Sequence, residues 1–284
     1  MKMYHFRIAD LSFNLISPVE LQIPTNFQAF LCPEFPDREA DISVEVCFEN
    51  KGIPKNARKI TETRYQYEDI IQDFFFWRDG KYIVRTQMMD KPGVYRLSIP
   101  ISFYESFCKN SNWLLYLMME RMILPFDRLI LHASAVIYGG KAYLFSAHSG
   151  GGKSTHAALW VKHYGATLLN GDKVILERGE MGWIAHGSPI AGSSGVYCNK
   201  SAPIAAIIML EKAPNNEITQ ISGRNALLQL YSEAVKSNWD ENFNQRVLEL
   251  IFSLLEQCRV FRLKCLPQTS AVDCVLRELE GMTS

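Results

Sequence analysis

Over the first hundred residues apolar and polar positions alternate, the signature of half-buried strands. Ile42-Ser43-Val44-Glu45-Val46-Cys47-Phe48 is a full period-two run. Tyr65-Gln66-Tyr67 repeats the pattern briefly. Phe74-Phe75-Phe76-Trp77 and Tyr82-Ile83-Val84 flank Arg78-Asp79-Gly80-Lys81, which reads as a hairpin turning at Asp79-Gly80. Tyr95 to Ile99 adds a further strand, and prolines at 18, 24, 33, 36 and 54 punctuate the region without marking a flexible linker. Residues 1–124 are therefore expected to form a small, mainly antiparallel β lobe ending in a connecting helix.

From Tyr104 the period lengthens. Phe107, Trp113-Leu114, Leu117-Met118 and Met122 share one helical face, and that helix should stop before Pro125. Leu129 to Ile137 reads as one buried strand, Gly139-Gly140 as a turn, and Lys141 to Phe145 as the returning strand. A helix from Thr155 to Tyr164 is closed by Gly165. Ala166 to Asn170 is a short strand, with Val174 to Glu177 pairing next to it, and Ala205 to Leu210 is a fully apolar strand. Helices over Ala226–Lys236 and Asp240–Cys258, a strand at Val260–Leu263 and a helix over Ala271–Leu279 complete an α/β (mixed α+β) second domain, residues 125–284.

Composition narrows the class. The chain has 284 residues, of which 48% are apolar and 21% charged. That is globular composition, excluding a disordered chain, a collagen-like fibre and a coiled-coil rod. Thirty Lys+Arg balance thirty Asp+Glu. Neither domain has the basic excess that nucleic-acid binding by phosphate neutralisation needs. The seven cysteines, at 32, 47, 108, 198, 258, 265 and 274, form no CxxC pair, and buried free thiols in a reducing compartment are expected. Met1 to Arg7 lacks the apolar core of a signal peptide, and the longest apolar run, Trp113 to Met119, is too short to span a membrane. A cytoplasmic protein with no membrane partner is the expectation.

One segment carries recognisable chemistry: Ser146-Ala147-His148-Ser149-Gly150-Gly151-Gly152-Lys153-Ser154-Thr155. A strand ends, a glycine-rich loop turns back, and a helix begins. Successive backbone N–H groups and the positive end of the helix dipole then face one concavity, an anion site. Lys153 can reach the β- and γ-phosphates of a nucleotide, and Ser154 can offer its hydroxyl to magnesium. Ala147 stands where the usual Walker A pattern has glycine. The carboxylate that such a loop needs for its metal is best supplied by Asp172, at the end of the strand Leu168-Leu169-Asn170. A turn aspartate in Asn170-Gly171-Asp172-Lys173 is the competing reading. His132, on the strand before the loop, is either a core residue or a member of the same cleft. His148 reads as a solvent-facing filler, and His156 and His163 as helix-surface residues.

On these residues the chain resembles the P-loop kinase domain of the HPr kinase/phosphorylase family, whose fold is shared with phosphoenolpyruvate carboxykinase. The resemblance rests on the strand carrying His132, the short hairpin, Ser149 to Ser154, and an acidic turn nineteen residues past the lysine (172 − 153). It runs from about Leu129 to Leu210. Two positions depart from the family: its paired aspartates are here Gly171-Asp172, and the Glu that follows Lys-Ser is here Thr155. The chain therefore looks HPr-kinase-like without being HPr kinase. A second loop, His186 to Gly195, looks like the segment that in such relatives folds over the nucleotide and acceptor side; an ordinary surface loop is the alternative.

The resemblance implies a serine-kinase-like phosphotransferase using ATP with Mg²⁺, GTP being left open. Ser149, Gly150, Gly151, Gly152, Lys153, Ser154 and Thr155 would bind the nucleotide, and Ser154 with Asp172 the metal. Lys153, Asp172 and His132 would be the catalytic set, acting on a protein, peptide or small-molecule hydroxyl. The alternative is a nucleotide-binding regulatory or partner protein without turnover, as Ala147 and Gly171 suggest. A homo-oligomer is left open.

Overall fold

The alternating segments build the first unit, Met1–Pro125, around one eight-stranded sheet. The computed structural model describes residues 1–33, 39–76, 79–109, 116–148, 150–190, 192, 195–237 and 239–281. Strands β1 (Lys2–Ile8) and β2 (Leu11–Ser17) form a hairpin. Its turn residues Ala9 and Asp10 both have positive φ, which matches the right-handed twist of the flanking strands. A short helix α1 (Thr25–Gln28) precedes β3 (Ile42–Phe48) and β4 (Arg58–Lys59). Then come β5 (Arg64–Tyr67), β6 (Ile70–Phe76), β7 (Tyr82–Met88) and β8 (Val94–Ile99). The order is β1-β2-β3-β8-β7-β6-β5-β4, with β2–β3 and β3–β8 parallel and the other neighbours antiparallel. The β6–β7 turn has Asp79 and Gly80 at positive φ, as Asp-Gly requires, while Trp77 and Arg78 lie outside the described residues.

Cross-strand register in this sheet sets Arg64 opposite Asp73 and Asp73 opposite Arg85. All three are buried, and both guanidiniums donate to the one carboxylate at 2.6 to 3.1 Å. Burial pulls the Arg64 guanidinium down to about 10 despite that carboxylate.

The helix expected from Tyr104 to Met122 is not continuous. Helix α2 (Tyr104–Lys109) and helix α3 (Met119–Ile123) are separate, and Met118, at φ 51°, stands in the left-handed region directly before α3. A left-handed residue cannot continue an α-helix. Trp113 and Leu114, assigned to the same face, lie outside the described residues.

The second unit, Phe126–Ser284, is mixed α/β. It opens with β9 (Arg128–His132), β10 (Ser134–Tyr138) and β11 (Lys141–Ser146). Helix α4 (Lys153–Tyr164) leads to β12 (Thr167–Asn170), β13 (Lys173–Gly179), β14 (Gly182–His186) and the long β15 (Ser201–Lys212). The remainder is β16 (Glu217–Ile221), α5 (Gly223–Glu233), α6 (Glu241–Gln257), β17 (Val260–Cys265) and α7 (Thr269–Glu280).

The single strand expected over Leu129–Ile137 is in fact two. β9 pairs antiparallel with β13, whereas β10 pairs with β11 and β12. The chain changes partners at Ala133, whose amide donates to Asp172 O at 3.0 Å, and the opposing chain changes partners at Gly171-Asp172. Two strands therefore cross together from one sheet into another. Consequently β12 and β13 do not pair with each other, as Ala166–Asn170 and Val174–Glu177 were expected to. Strand β15 also serves both sheets. Its start pairs antiparallel with β14, and its later part lies parallel between β11 and β17.

Helices α4 and α7 pack beside this second sheet, and their apolar stripes close a core containing Val136, Phe145, Trp160, Ile208, Phe261 and Val272. Trp160 is the largest fully buried side chain of the unit, stacked obliquely on Tyr143 at 4.6 Å. All seven cysteines are free thiols, but only Cys258 is fully buried; the other six are half-buried, against the expectation. Burial pushes Cys258 up to about 12, so it is inert as a nucleophile. Among the described residues, no helix is long and apolar enough to cross a membrane.

Candidate functional site

The glycine loop after β11 is shaped by steric need at each described glycine. Gly150 and Gly152 have φ of 73° and 95°, a region where side chains strain the backbone. Gly151 is constrained differently: a Cβ there would fall 2.5 Å from Ala147 Cβ and 2.8 Å from His148 O. The loop closes through Gly151 N–H donating to His148 O, and α4 begins with His156 N–H donating to Gly152 O. Ser149 lies outside the described residues.

Lys153, the first residue of α4, is buried, and its ammonium donates to Ala147 O at 2.6 Å. An ammonium carries three donors. Among the described residues no carboxylate pairs with it. A buried cation without a counter-ion is costly, and this one stands at a helix N-terminus, where the dipole adds further positive potential. Both favour an anion. Ser154 and Thr155 follow on the exposed side of the helix start.

At the crossing between the sheets, His132 Nδ1 stands 3.2 Å from Asp172 Oδ1. Both side chains are partly exposed, at 36% and 25%. His132 ends β9 and Asp172 precedes β13, so antiparallel pairing of these strands, with Lys173 opposite His132, sets them face to face. The expected position for Asp172, at the carboxyl end of a parallel strand, is thus replaced by one at an antiparallel junction. The pair is tied to the loop strand because Ser146 Oγ donates to His132 O at 2.8 Å. Gly171 has no side chain to offer, and its carbonyl accepts from Ser134 Oγ at 2.8 Å.

Asn170, read from the sequence only as part of a turn, and Ser188, read only as part of the second loop, hold this arrangement. Buried Asn170 accepts from the amides of Asp172 and Lys173 at 2.8 Å, an Asx turn that fixes where Asp172 projects. Its amide nitrogen donates to Ser188 O and Ile190 O, fastening the segment after β14. Ser188 Oγ donates to Lys173 O at 2.7 Å. The Asn-Gly pair signalled a turn, but its partners lie some eighteen residues away. Gly192 approaches from that segment closely enough that a Cβ would reach 2.4 Å from Asp172 Oδ2. Residues 191, 193 and 194 lie outside the described residues, including the Ser193-Ser194 pair of the second loop.

The other histidines sort clearly. His148 is exposed, as expected for a filler, and so is His163. His156 is not a surface residue: it is 3% exposed, edge-on to Phe145, and its Nε2 accepts from Trp160 Nε1–H at 3.3 Å. Burial holds it down to about 4, so it is neutral. His186 lies 2.7 Å from Glu177, which also accepts from Arg128; these contacts lower Glu177 against the burial that would raise it.

No family model matches the chain, and no curated protein matches it. Among solved structures it is similar to the Hpr(Ser) kinase/phosphatase from Coxiella burnetii, with 12% sequence identity over 55% of this chain and 99% of that chain, at a TM-score of 0.34. The functional reading therefore rests on the residues of this chain.

Proposed function

We propose that the second unit is an ATP- and Mg²⁺-dependent phosphotransferase of P-loop type, acting on a hydroxyl of a protein, peptide or small molecule. The observation that carries this reading is the buried Lys153 ammonium. It lacks a counter-ion among the described residues and stands at the N-terminus of α4, directly after a glycine-rich loop. A nucleotide's phosphates are the anion that such a cradle fits. Ser154 and Asp172 are the residues that would hold magnesium, which when bound neutralises charge on the phosphate oxygens.

The chain's own groups then divide the work. The loop amides and Lys153 stabilise charge on the phosphoryl in transit, and this preorganised electrostatic term is the largest available. Asp172 Oδ1 faces His132 Nδ1 and orients the ring, leaving Nε2 as the atom that takes the acceptor hydroxyl's proton. The acceptor oxygen bonds to the γ-phosphorus as the bond to the bridging oxygen breaks, and the nucleoside diphosphate leaves. The second reading is a nucleotide-binding partner protein without turnover, favoured by Gly171, where the resembled family carries a second carboxylate.

Lys153→Ala and His132→Ala separate these readings. Lys153→Ala should weaken Mg-ATP binding severely, read by calorimetry. His132→Ala should keep the affinity and lower phosphoryl transfer by about a hundred- to ten-thousand-fold. Unchanged affinity in a folded Lys153→Ala protein rejects the phosphate site. Tight binding by the wild type, with no transfer to any acceptor or to water, leaves the partner-protein reading in place.

A further inference from the structure

We infer that Lys173 is a second cation of the reacting end, its ammonium binding the oxygens of the γ-phosphoryl group as that group passes to the acceptor. This rests on the phosphotransferase reading above and adds to it a residue that neither the glycine loop nor the His132–Asp172 pair supplies.

The β9–β13 ladder fixes where Lys173 stands. Lys173 lies opposite His132, Ile175 opposite Ile130, and Glu177 opposite Arg128. Backbone bonds fall at the positions between them: Ala133 N–H donates to Asp172 O at 3.0 Å, and Arg178 N–H to Asp127 O at 3.1 Å. Bonded and non-bonded positions alternate along an antiparallel pair, so the three pairs are of the non-bonded kind, in which side chains stand closest. Arg128 and Glu177 show the reach, for their side chains meet at 2.6 Å. Lys173 therefore rises on the same face as His132, with the two Cβ atoms about 4.5–5.5 Å apart. Its neighbour in the chain is Asp172, which turns its carboxylate to His132 Nδ1.

The backbone of Lys173 is committed, and its ammonium is not. The amide donates to Asn170 Oδ1 at 2.8 Å, and the carbonyl accepts from Ser188 Oγ at 2.7 Å. Among the described residues, no carboxylate or carbonyl pairs with the ammonium. The residue is nonetheless half-buried, whereas an unpaired lysine ordinarily extends into solvent. A fixed stem and a free charge make a preorganised anion ligand. Phosphoryl transfer uses one, because negative charge spreads over the three outer oxygens of the group in transit. Lys153 stands with the glycine loop, and Lys173 with the residue that takes the proton, so the part of the phosphate chain that meets Lys173 is the end that moves. The acceptor oxygen bonds to phosphorus as the bridging bond breaks, and its proton goes to His132. Lys173 forms no covalent bond and passes no proton.

The test measures binding of Mg-ADP, alone and with aluminium fluoride, which takes the place of the phosphoryl group in transit and needs no known acceptor. Lys173→Met keeps the length of the side chain and removes the charge. Wild type should bind Mg-ADP about a hundredfold or more tighter when fluoride is present. Lys173→Met should bind Mg-ADP alone as wild type does, which also shows that it is folded, and should lose about a hundredfold of that gain. A full gain in the variant overturns the inference alone. So does an equal loss of affinity for Mg-ADP without fluoride, which would make Lys173 a general binding or structural residue. Wild type that binds Mg-ADP but gains nothing from fluoride overturns it as well. Wild type that binds no Mg-ADP overturns the phosphate-loop reading and this one with it.

Discussion

A proton on His156 unsettles the helix that carries Lys153. The ring is buried against Phe145, and its Nδ1, the nitrogen left to carry the hydrogen once Nε2 accepts from Trp160, has no partner. Because burial lowers its pKa from the ordinary 6.5 to about 4, the unfolded chain binds the proton first as pH falls. Stability is therefore complete above about pH 6.5 and is lost as pH drops toward 4. Between pH 7 and pH 5 the second unit should lose about 2 kcal/mol, read from urea unfolding at the two values. A His156→Leu protein should lack that fall; an identical fall in the variant would place the acid sensitivity elsewhere. At this scale the sequence shows which residues have chemistry more readily than which are buried. Gly150 to Lys153 and Asp172 stood out by spacing. The four-residue interval between His156 and Trp160 was the only hint that this histidine faces inward.

Elements were legible where local pattern and local partners coincide. Helix α6 carries its apolar stripe, Phe243, Val247, Leu250, Ile251 and Leu254, from an Asp240 cap that accepts the Phe243 amide at 2.9 Å. Strand β9 and strand β10 merge into one apolar run because no glycine or proline marks the crossing; the division comes from a change of partners. The break before α3 is likewise unsignalled, since methionine is ordinarily a good helix former. In the first unit, β5, β6 and β7 are joined by more than their ladders: Asp73 takes hydrogen bonds from both Arg64 and Arg85. Removing one partner of a buried ionic cluster typically costs about 3–5 kcal/mol. Asp73→Asn should therefore lower the unfolding free energy of the first unit, read from urea unfolding followed by far-ultraviolet dichroism, by about that amount. A shift under about 0.5 kcal/mol would mean that the arginines find equivalent acceptors.

For the whole chain, mixed α/β architecture was readable, and strand neighbours were not. Pairing joins Ala135 to Asn170 and Phe145 to Ile208, and such partners are set by packing rather than by adjacent sequence. The same long-range pairing fixes how the candidate site breathes. Since Ala133 N–H is bonded to Asp172 O where two strands pass between sheets, drawing the backbones of His132 and Asp172 apart requires opening both sheets at once. Local fraying cannot do it. In native-state deuterium exchange, the Ala133 amide should then open with a free energy near that of unfolding the entire second unit, whereas the Gly152 amide, at the loop's end, should exchange by local opening alone. Fast exchange at Ala133 would show that the crossing is a hinge, and the facing of the two strand ends would be an occasional state instead of a permanent one.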